Sequence, residues 1–402
     1  MKTWKKLLLL LLVLILLSQI PFAYRRYKLG RLNAAIQQTN SQRIASQDDF
    51  AEYKGAMHVH SFLGGHSTGN FDEIIAAARS NELDFVVMTE HPSKNFSTAE
   101  MALKGVHAGV LFINGNEVST AQSDRLLVIP GNESAADANQ HSTQQVVTRA
   151  KARNATVFVA YPEEFKGWDS TGYDGVEVYN LYTNAREINP IVMFFDGLWS
   201  YRSYPNLLFA TFYKRPAESL RRWDTAVSTR KQRLVAVAGN DAHANVGLAL
   251  KGTSGNTLLG LKLDPYERSF RLVRVHVLIP NGGSFDAETL RGALAAGHCF
   301  IGFDLFSDSS GFRFTGSNGK ETRIQGDEIT LEREIHLNVT APISSRIVLL
   351  RDGNVIQSES GLIRKEFIVT ERGSYRVELY LPQLPGSVST QPWILSNPIY
   401  VK

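Results

Sequence analysis

Ten histidines serve 402 residues, and three of them, His58, His60 and His66, fall within the stretch "GAMHVHSFLGGHSTGNFDEII", residues 55 to 75. A neutral imidazole nitrogen donates well to zinc, iron or manganese. Two histidines spaced by one residue also point to the same side of a strand, because side chains alternate with period two. Further along, Glu90 and His91 close "LDFVVMTEH", Glu117 closes "GVLFINGNE", and Asp241 and His243 close "LVAVAGNDAH". Each lies where a short apolar run ends. Seven ligand-type side chains from four such ends, with His66 on the first loop, suit two nitrogen- and oxygen-bound transition ions, and a carboxylate such as Glu117 can bridge them. The bland alternative, unrelated polar residues in solvated loops, leaves their shared position at run ends unexplained.

The elements that must position these groups follow from the same pattern. From residue 53 the chain alternates short apolar runs with amphipathic helical segments such as "NFDEIIAAARSNE" and "STQQVVTRAKARN". Alternation of this kind implies β/α units, and functional groups at strand C-termini imply a site built at one face of a barrel. The expectation is a distorted (β/α)7 barrel over residues 53–303. The aromatic-rich segment 186–214 interrupts it and reads as helical packing, or else as a substrate lid. After residue 304 the pattern turns to alternating strands with turn signals, among them "RDGN" between two apolar runs, a hairpin turn. Residues 304–402 are expected to form an immunoglobulin-like β-sandwich without chemistry of its own.

Composition removes several classes. The net charge of +4 is scattered, so no nucleic-acid partner is expected. Cys299 is the only cysteine, which excludes an intramolecular disulfide and leaves any metal to nitrogen and oxygen. The chain starts with "MKTWKKLLLLLLVLILLSQIPFAYRRYKLG", a basic start and eleven aliphatics from Leu7 to Leu17. Residues 1–24 read as a signal anchor or transmembrane helix, since Leu7 to Tyr24 is just long enough to span a bilayer and no small-x-small cleavage site precedes Arg25. Basic residues flank it on both sides, so charge alone does not orient it. The signal-like layout places the body outside the cytoplasm, in a periplasm or at a cell surface, with residues 25–52 as a polar juxtamembrane connector.

Four blocks in order, "HVHS", "TEHP", "GNEVST" and "GNDAH", resemble the signature blocks of the PHP family, named for polymerase and histidinol phosphatase. The resemblance covers about residues 53–303 and implies a distorted (β/α)7 barrel that binds up to three metal ions, in a family where many members hydrolyse phosphoesters. The anchored layout with a β-rich tail looks like that of bacterial members, some grouped with a carbaryl hydrolase, so the substrate need not be a phosphoester. It implies His58 and His60 as first-metal ligands, Glu117 as the bridge, Asp241 as the closing ligand, and His91 and His243 as further ligands. Three departures stand out. The loop "FLGGHSTG" lacks the family's aspartate and leaves His66 as the nearest ligand, "SDRLL" puts Arg125 where a histidine is expected, and "AYPEE" puts Tyr161 at another.

The function expected from these residues is a metal-dependent hydrolase, most readily a phosphoesterase, that uses one or two zinc, manganese or iron ions and a metal-activated water. A third ion is disfavoured by Arg125 and Tyr161. Asp241 or His243 would orient that water or move its proton. Arg125, Lys94, Lys166 and Arg186 would receive an anionic small molecule. Arg125 either does so beside Glu117 and Asp241 or points away to pair with Asp124. Tyr161 and Glu90 are expected to touch substrate, and Glu177 either to do so or to play a structural role. Amide or carbamate hydrolysis on the same site is an alternative, as is a catalytically weak, membrane-tethered ligand-binding protein.

Overall fold

The computed structural model describes residues 3–44, 49–186, 189–211, 213–230, 232–244, 247–251, 257–262 and 265–402. One helix, Thr3–Asn40, opens the chain. It contains a window long and apolar enough to cross a membrane, with mean hydropathy 2.5 and none of it buried. The helix does not end where that run ends. Residues 25–40, read from sequence as a connector, continue it, and Leu29, Leu32 and Ile36 are buried in the core of the body. Spacings of three and four put them on one face, a stripe too short to stand out among the surrounding Arg, Asn and Gln. Arg25 fixes the angle at which the helix leaves the body, through a two-pronged ion pair with the buried Asp196, at 2.8 Å from Nε and 2.6 Å from Nη2.

The strand Phe50–Val59 carries the first histidine. It runs parallel to Phe85–Met88, which runs parallel to Val110–Ile113, and antiparallel to Arg274–Pro280 on its other side. These strands belong to a fourteen-stranded sheet. A second sheet of five strands runs Asn116–Ser119, Arg125–Ile129, Thr156–Ala160, Gly175–Asn180 and Val235–Gly239. Its first two pairings are antiparallel and its last two parallel. "FVVM", "TVFVA" and "VAVAG" are buried at every position, as strands covered on both faces must be. The helices Phe71–Ser80 and Thr143–Lys151 supply part of that cover through Ile74, Ala77 and Ala78 and through Val146, Val147 and Ala150. Both begin where the sequence marks a cap, with Asn70 accepting from the Glu73 amide and Ser142 from the Gln145 amide.

A seven-unit barrel is expected from sequence, but among the described residues the strands form no closed barrel. The β-bridges that link the two sheets among the described residues are isolated and parallel, Val59 to Ala242 and Glu90 to Asn116, both at the end where the histidines lie. Antiparallel neighbours explain the difference. The strands Asn116–Ser119 and Arg125–Ile129 are joined by a tight turn and cannot make the crossover a β/α unit requires.

The C-terminal strands do not pair as a separate sandwich either. Cys299–Gly302 pairs with Pro392–Ser396, so the large sheet runs on from the His58 strand into the C-terminal region. "RDGN" forms the hairpin read from sequence: Arg351 pairs with Asn354, and Asp352 and Gly353 have φ of 50° and 80°. A two-residue turn that matches strand twist needs two such left-handed residues. Asn397 fastens the join, since its Oδ1 accepts from the Ala236 amide at 2.7 Å and its Nδ2 donates to the carbonyls of Ala236 and Cys299 at 3.1 and 2.8 Å. The strand that leads to Asp241 is thereby held from the C-terminal side.

Candidate metal centre

His58, in the strand Phe50–Val59, and His60, just beyond its end, converge on two carboxylates. The register slips between Ala56 and Val59, so a local irregularity and not plain strand alternation aims them. Nε2 of His58 lies 3.2 Å from Oε2 of Glu117 and 3.5 Å from Oδ1 of Asp241. Nε2 of His60 lies 3.4 and 3.5 Å from the same two oxygens. All four side chains are buried, and their donor atoms lie within 4.8 Å of one another. A second group, His60, His91 and His243, meets the same distance limit and opens towards solvent. The rings of His91 and His243 lie nearly parallel to that of His60, with centroids 4.6 and 4.3 Å away.

Three of the positions that shape this cluster sit in left-handed backbone, with φ of 62° at His58, 48° at Tyr161 and 45° at Asp241. For a side chain with a Cβ each costs roughly 1–3 kcal/mol and persists only where the surroundings enforce it. Close packing beneath the cluster is part of that enforcement. A Cβ at Gly239 would fall 1.6 Å from Oε1 of Glu177 and 2.9 Å from Cβ of His58.

The charges are ordered from inside outward. Burial opposes protonation of His58, but the carboxylates of Glu177 and Asp241 and the hydrogen bonds to Glu117 and Glu177 override it and hold its pKa well above the ordinary value. Burial likewise opposes protonation of His60, and Asp241 and Glu117 raise it. Burial would raise Glu117 and Asp241, yet the two inner histidines hold both below the usual carboxylate range. The outer histidines go the other way. Burial together with the positive inner histidines pushes His91 down to about 3 and His243 down to about 4. Metal binds the neutral imidazole, so a cation at this site would take the place of the protons that His58 and His60 otherwise hold.

Both ring nitrogens of His60 and Oδ1 of Asp241 are buried without a hydrogen-bond partner. Buried polar atoms are rarely left so, and here Nε2 of His60 and Oδ1 of Asp241 lie 3.5 Å apart. The donor set is nitrogen and oxygen only, with a second layer in place: Nδ1 of His58 meets Oε1 of Glu177 at 2.7 Å, the orienting contact that metal-binding histidines usually have. These residues fit a divalent transition ion.

Glu117 and Asp241 reach a cleft of about 760 Å³ whose walls include His66, Lys94, Arg125, Tyr161, Tyr182 and His243, while His58 and His60 stay buried behind them. Arg125 points into it and places Nη1 3.3 Å from Oε1 of Glu117. It does not pair with Asp124, which is buried and accepts from Thr143 Oγ1 at 2.6 Å and from the Lys166 amide at 2.7 Å. Tyr161 donates to Oδ2 of Asp241 at 2.6 Å. His66 is exposed on the cleft wall, edge-on to His91 at 4.9 Å, and belongs to neither donor group. Lys166 is exposed and donates to the Gln122 carbonyl, while the side chain of Arg186 lies outside the described residues.

From sequence, Glu90 is expected against substrate, and Glu177 either there or in a structural role. Both are fully buried. Glu90 accepts from the Ser61 amide at 3.0 and 3.1 Å and thereby fixes the loop after His60. Glu177 holds His58. Sequence reasoning missed Asn180, whose Nδ2 donates to Oε2 of Glu177 and to Oδ2 of Asp241, both at 3.1 Å. In a regular strand Glu177 and Asn180 would face opposite sides, but the register slips between Glu177 and Tyr179 and brings both inward.

No family model and no curated protein matches the chain. Among solved structures it is similar to a two-domain protein from Bacteroides vulgatus described as containing a predicted PHP-like metal-dependent phosphoesterase, at 12% identity and a TM-score of 0.38, over 89% of this chain and 98% of that one. It is also similar to PsfC from Pseudomonas syringae, at 13% identity and a TM-score of 0.36, over 63% of this chain and 91% of that one.

Proposed function

We propose that the chain is a PHP-like metal-dependent hydrolase, most readily a phosphoesterase, tethered to a membrane by Thr3–Asn40 with its body outside the cytoplasm. Residues 53–303 would be the hydrolase unit and residues 304–402 a β-rich unit that buttresses it. One observation carries the reading: four buried donors, His58, His60, Glu117 and Asp241, converge within 4.8 Å of one another, two of them at a polar cleft, and both nitrogens of His60 lack a hydrogen bond.

His58, His60, Glu117 and Asp241 would hold one zinc, manganese or iron ion, and His91 and His243, with His60 between the groups, would complete a site for at most a second. A bound divalent ion would lower the pKa of water towards about 7 and polarise the substrate oxygen. The chain's own groups do the rest. Asp241, fixed by Tyr161 and Asn180, presents a defined oxygen to an attacking water. Where only the first ion is held, His243, with Nδ1 on the Asp241 carbonyl, has Nε2 left to accept and return a proton; with a second ion that nitrogen is a ligand instead. Arg125 and Lys94 line the cleft as cations for an anionic small molecule, and a planar guanidinium suits a phosphoryl group in particular. Tyr161 offers its hydroxyl oxygen to the same substrate.

The test is metal analysis of the purified full-length protein, together with a screen of phosphoesters, amides and carbamates. Stoichiometric metal that disappears in His58→Ala/His60→Ala, and metal-dependent phosphoester turnover, are expected. Unchanged metal content in that variant would remove the metal centre, and bound metal without turnover of any class would favour a receptor.

A further inference from the structure

The insertion that follows the strand Gly175–Asn180 contains the helix Pro190–Ser200, "PIVMFFDGLWS". It packs against Thr3–Asn40 at the level where the long apolar run gives way to tyrosine and arginine. The ring of Phe195 stacks on that of Phe22 at 4.8 Å, Trp199 Nε1 donates to Oε1 of Gln19 at 3.1 Å, and Arg26 donates to the Trp199 carbonyl at 3.1 Å. The ion pair of Arg25 with the buried Asp196 lies between these contacts.

Each residue of a helix turns about 100° from the last, so Phe195 and Trp199 share one stripe, and Phe194, Leu198 and Ile191 form the adjoining one. That second stripe is apolar and open, with Ile191 66%, Phe194 50% and Leu198 70% exposed. Leu7 and Leu16 of the long helix are 63% and 60% exposed, so the stripe is as bare as the run that has the composition to enter a bilayer. Its rim carries the residues that favour a membrane surface. Tyr24 and Tyr27 are exposed, Lys28 lies 4.6 Å over the Tyr24 ring, and Arg26, Arg31 and Arg202 are exposed. Aromatic and basic side chains gather at the boundary between headgroups and acyl chains, where basic groups meet anionic lipid.

We propose that the helix Pro190–Ser200 is a second membrane-contact element, with Ile191, Phe194 and Leu198 seated in the headgroup and acyl boundary of an anionic bilayer. The proposal rests on the reading of Thr3–Asn40 as a membrane span. Two packed helices then hold the body at a fixed attitude, where a single helix would leave it free to swivel. The insertion begins at Asn180, which grips Glu177 and Asp241, so the attitude of the cleft to the lipid surface is fixed as well.

Single-cysteine variants of the full-length protein test this, because Cys299 is buried and escapes labelling. Leu12→Cys, Phe194→Cys, Leu198→Cys and the exposed control Val106→Cys would each carry an environment-sensitive fluorophore in phosphatidylcholine and phosphatidylglycerol vesicles. Probes at 194 and 198 are expected to lose emission severalfold when the acyl chains are brominated, as at 12, and to resist aqueous iodide, while 106 shows the reverse. Lipid quenching at 12 with iodide quenching at 194 and 198 would overturn the proposal and leave the span standing. An aqueous probe at 12 would remove the span and the proposal with it. Protection of 194 and 198 from both quenchers would mean that a second copy of the chain covers the stripe, and would also overturn it.

Discussion

Arg125 and Glu117 meet through Nη1 and Oε1 at 3.3 Å, while the other oxygen of Glu117 faces His58, His60 and His91 at 3.2 to 3.5 Å. Asp241 is divided in the same way, with Oδ1 towards the histidines and Oδ2 taken by Tyr161 and Asn180. On each carboxylate the oxygen that could reach a further cation is therefore occupied by a donor of the protein. A guanidinium cannot coordinate a metal, but it can stabilise charge that develops on a substrate oxygen. Arg125→Ala is expected to keep the metal content and lower turnover of anionic phosphoesters by roughly 10²-fold, the scale of a lost oxyanion donor. Arg125→His combined with Tyr161→His should raise the metal stoichiometry. Unchanged turnover in Arg125→Ala, or three ions bound to the unaltered chain, would show that the guanidinium does not take this part.

Glu177 acts on the centre through His58. Its carboxylate is buried, accepts at Nδ1 and passes directly over Gly239. Glu177→Gln should weaken metal affinity by about 10–100-fold, the usual range when an orienting partner is lost, with little change in melting temperature. Gly239→Ala should do more, because its Cβ would occupy the place of Oε1 and drive the carboxylate off His58. Metal loss and a destabilisation of about 3–5 kcal/mol, as for a broken buried pair, are expected. A Gly239→Ala protein with normal metal content would show that Glu177 is dispensable to the site.

Much of the centre was legible in the sequence because residue spacing and the ends of apolar runs are written there. The HxH spacing drew attention to His58 and His60, although a register slip and not period two aims them. Asp241 follows an apolar run as read, whereas Glu117 lies inside a strand of the second sheet and not at the end of Val110–Ile113. Asn180 was hidden by a register slip that no periodicity records. The burial of Glu90 and Glu177 was hidden for a related reason: ending a strand does not say whether a side chain stops at the floor of a cleft or beneath it. Pairings between distant segments were out of reach too. Nothing in "FAEYKGAMHV" says that it runs antiparallel to "RVHVLIP", nor in "CFIG" that it meets "PWILS". "RDGN" was legible because its turn is local.

The first helix divides between lipid-type and body-type contacts, and truncation should separate them. A chain beginning near Pro21 loses the apolar run but keeps Arg25 against Asp196 and keeps Leu29, Leu32 and Ile36 in the core. It is expected to be soluble with a nearly unchanged melting temperature. A chain beginning near Asp49 loses all of these. At roughly 1.5–3 kcal/mol for each buried aliphatic side chain, it should be less stable by on the order of 5 kcal/mol. Equal melting temperatures for the two truncations would show that residues 25–40 contribute nothing to the body.

Far from the cleft, His276 is fully buried between Glu52, whose Oε1 lies 2.8 Å from Nδ1, and Asp304, whose Oδ2 lies 3.1 Å from Nε2. Arg313 also meets Glu52, Arg274 meets Asp304, and the hydroxyl of Ser309 lies 3.1 Å from Nε2. Burial alone would lower the histidine, but Asp304 and Glu52 overcome it and raise the pKa to about 9. A histidine raised on folding binds its proton more tightly in the native state than in the unfolded one. Its contribution is therefore complete below an unfolded value near 6.5 and is lost as pH climbs through about 9. Taken as the difference between those values, it is on the order of 3 kcal/mol. Glu52 and Asp304 are lowered by the same contacts, so their share is lost at acid pH instead. The cluster joins Phe50–Val59 and Arg274–Pro280 to the segment that leads into the C-terminal strands, so its failure should loosen the body as a whole. Unfolding free energies at pH 6, 8 and 10 for the unaltered protein and for His276→Gln provide the check. The advantage of the unaltered protein over the variant should fall from pH 6 to pH 8 and vanish by pH 10, and an advantage that stays constant from pH 6 to 10 would show that His276 is not held protonated by its two carboxylates.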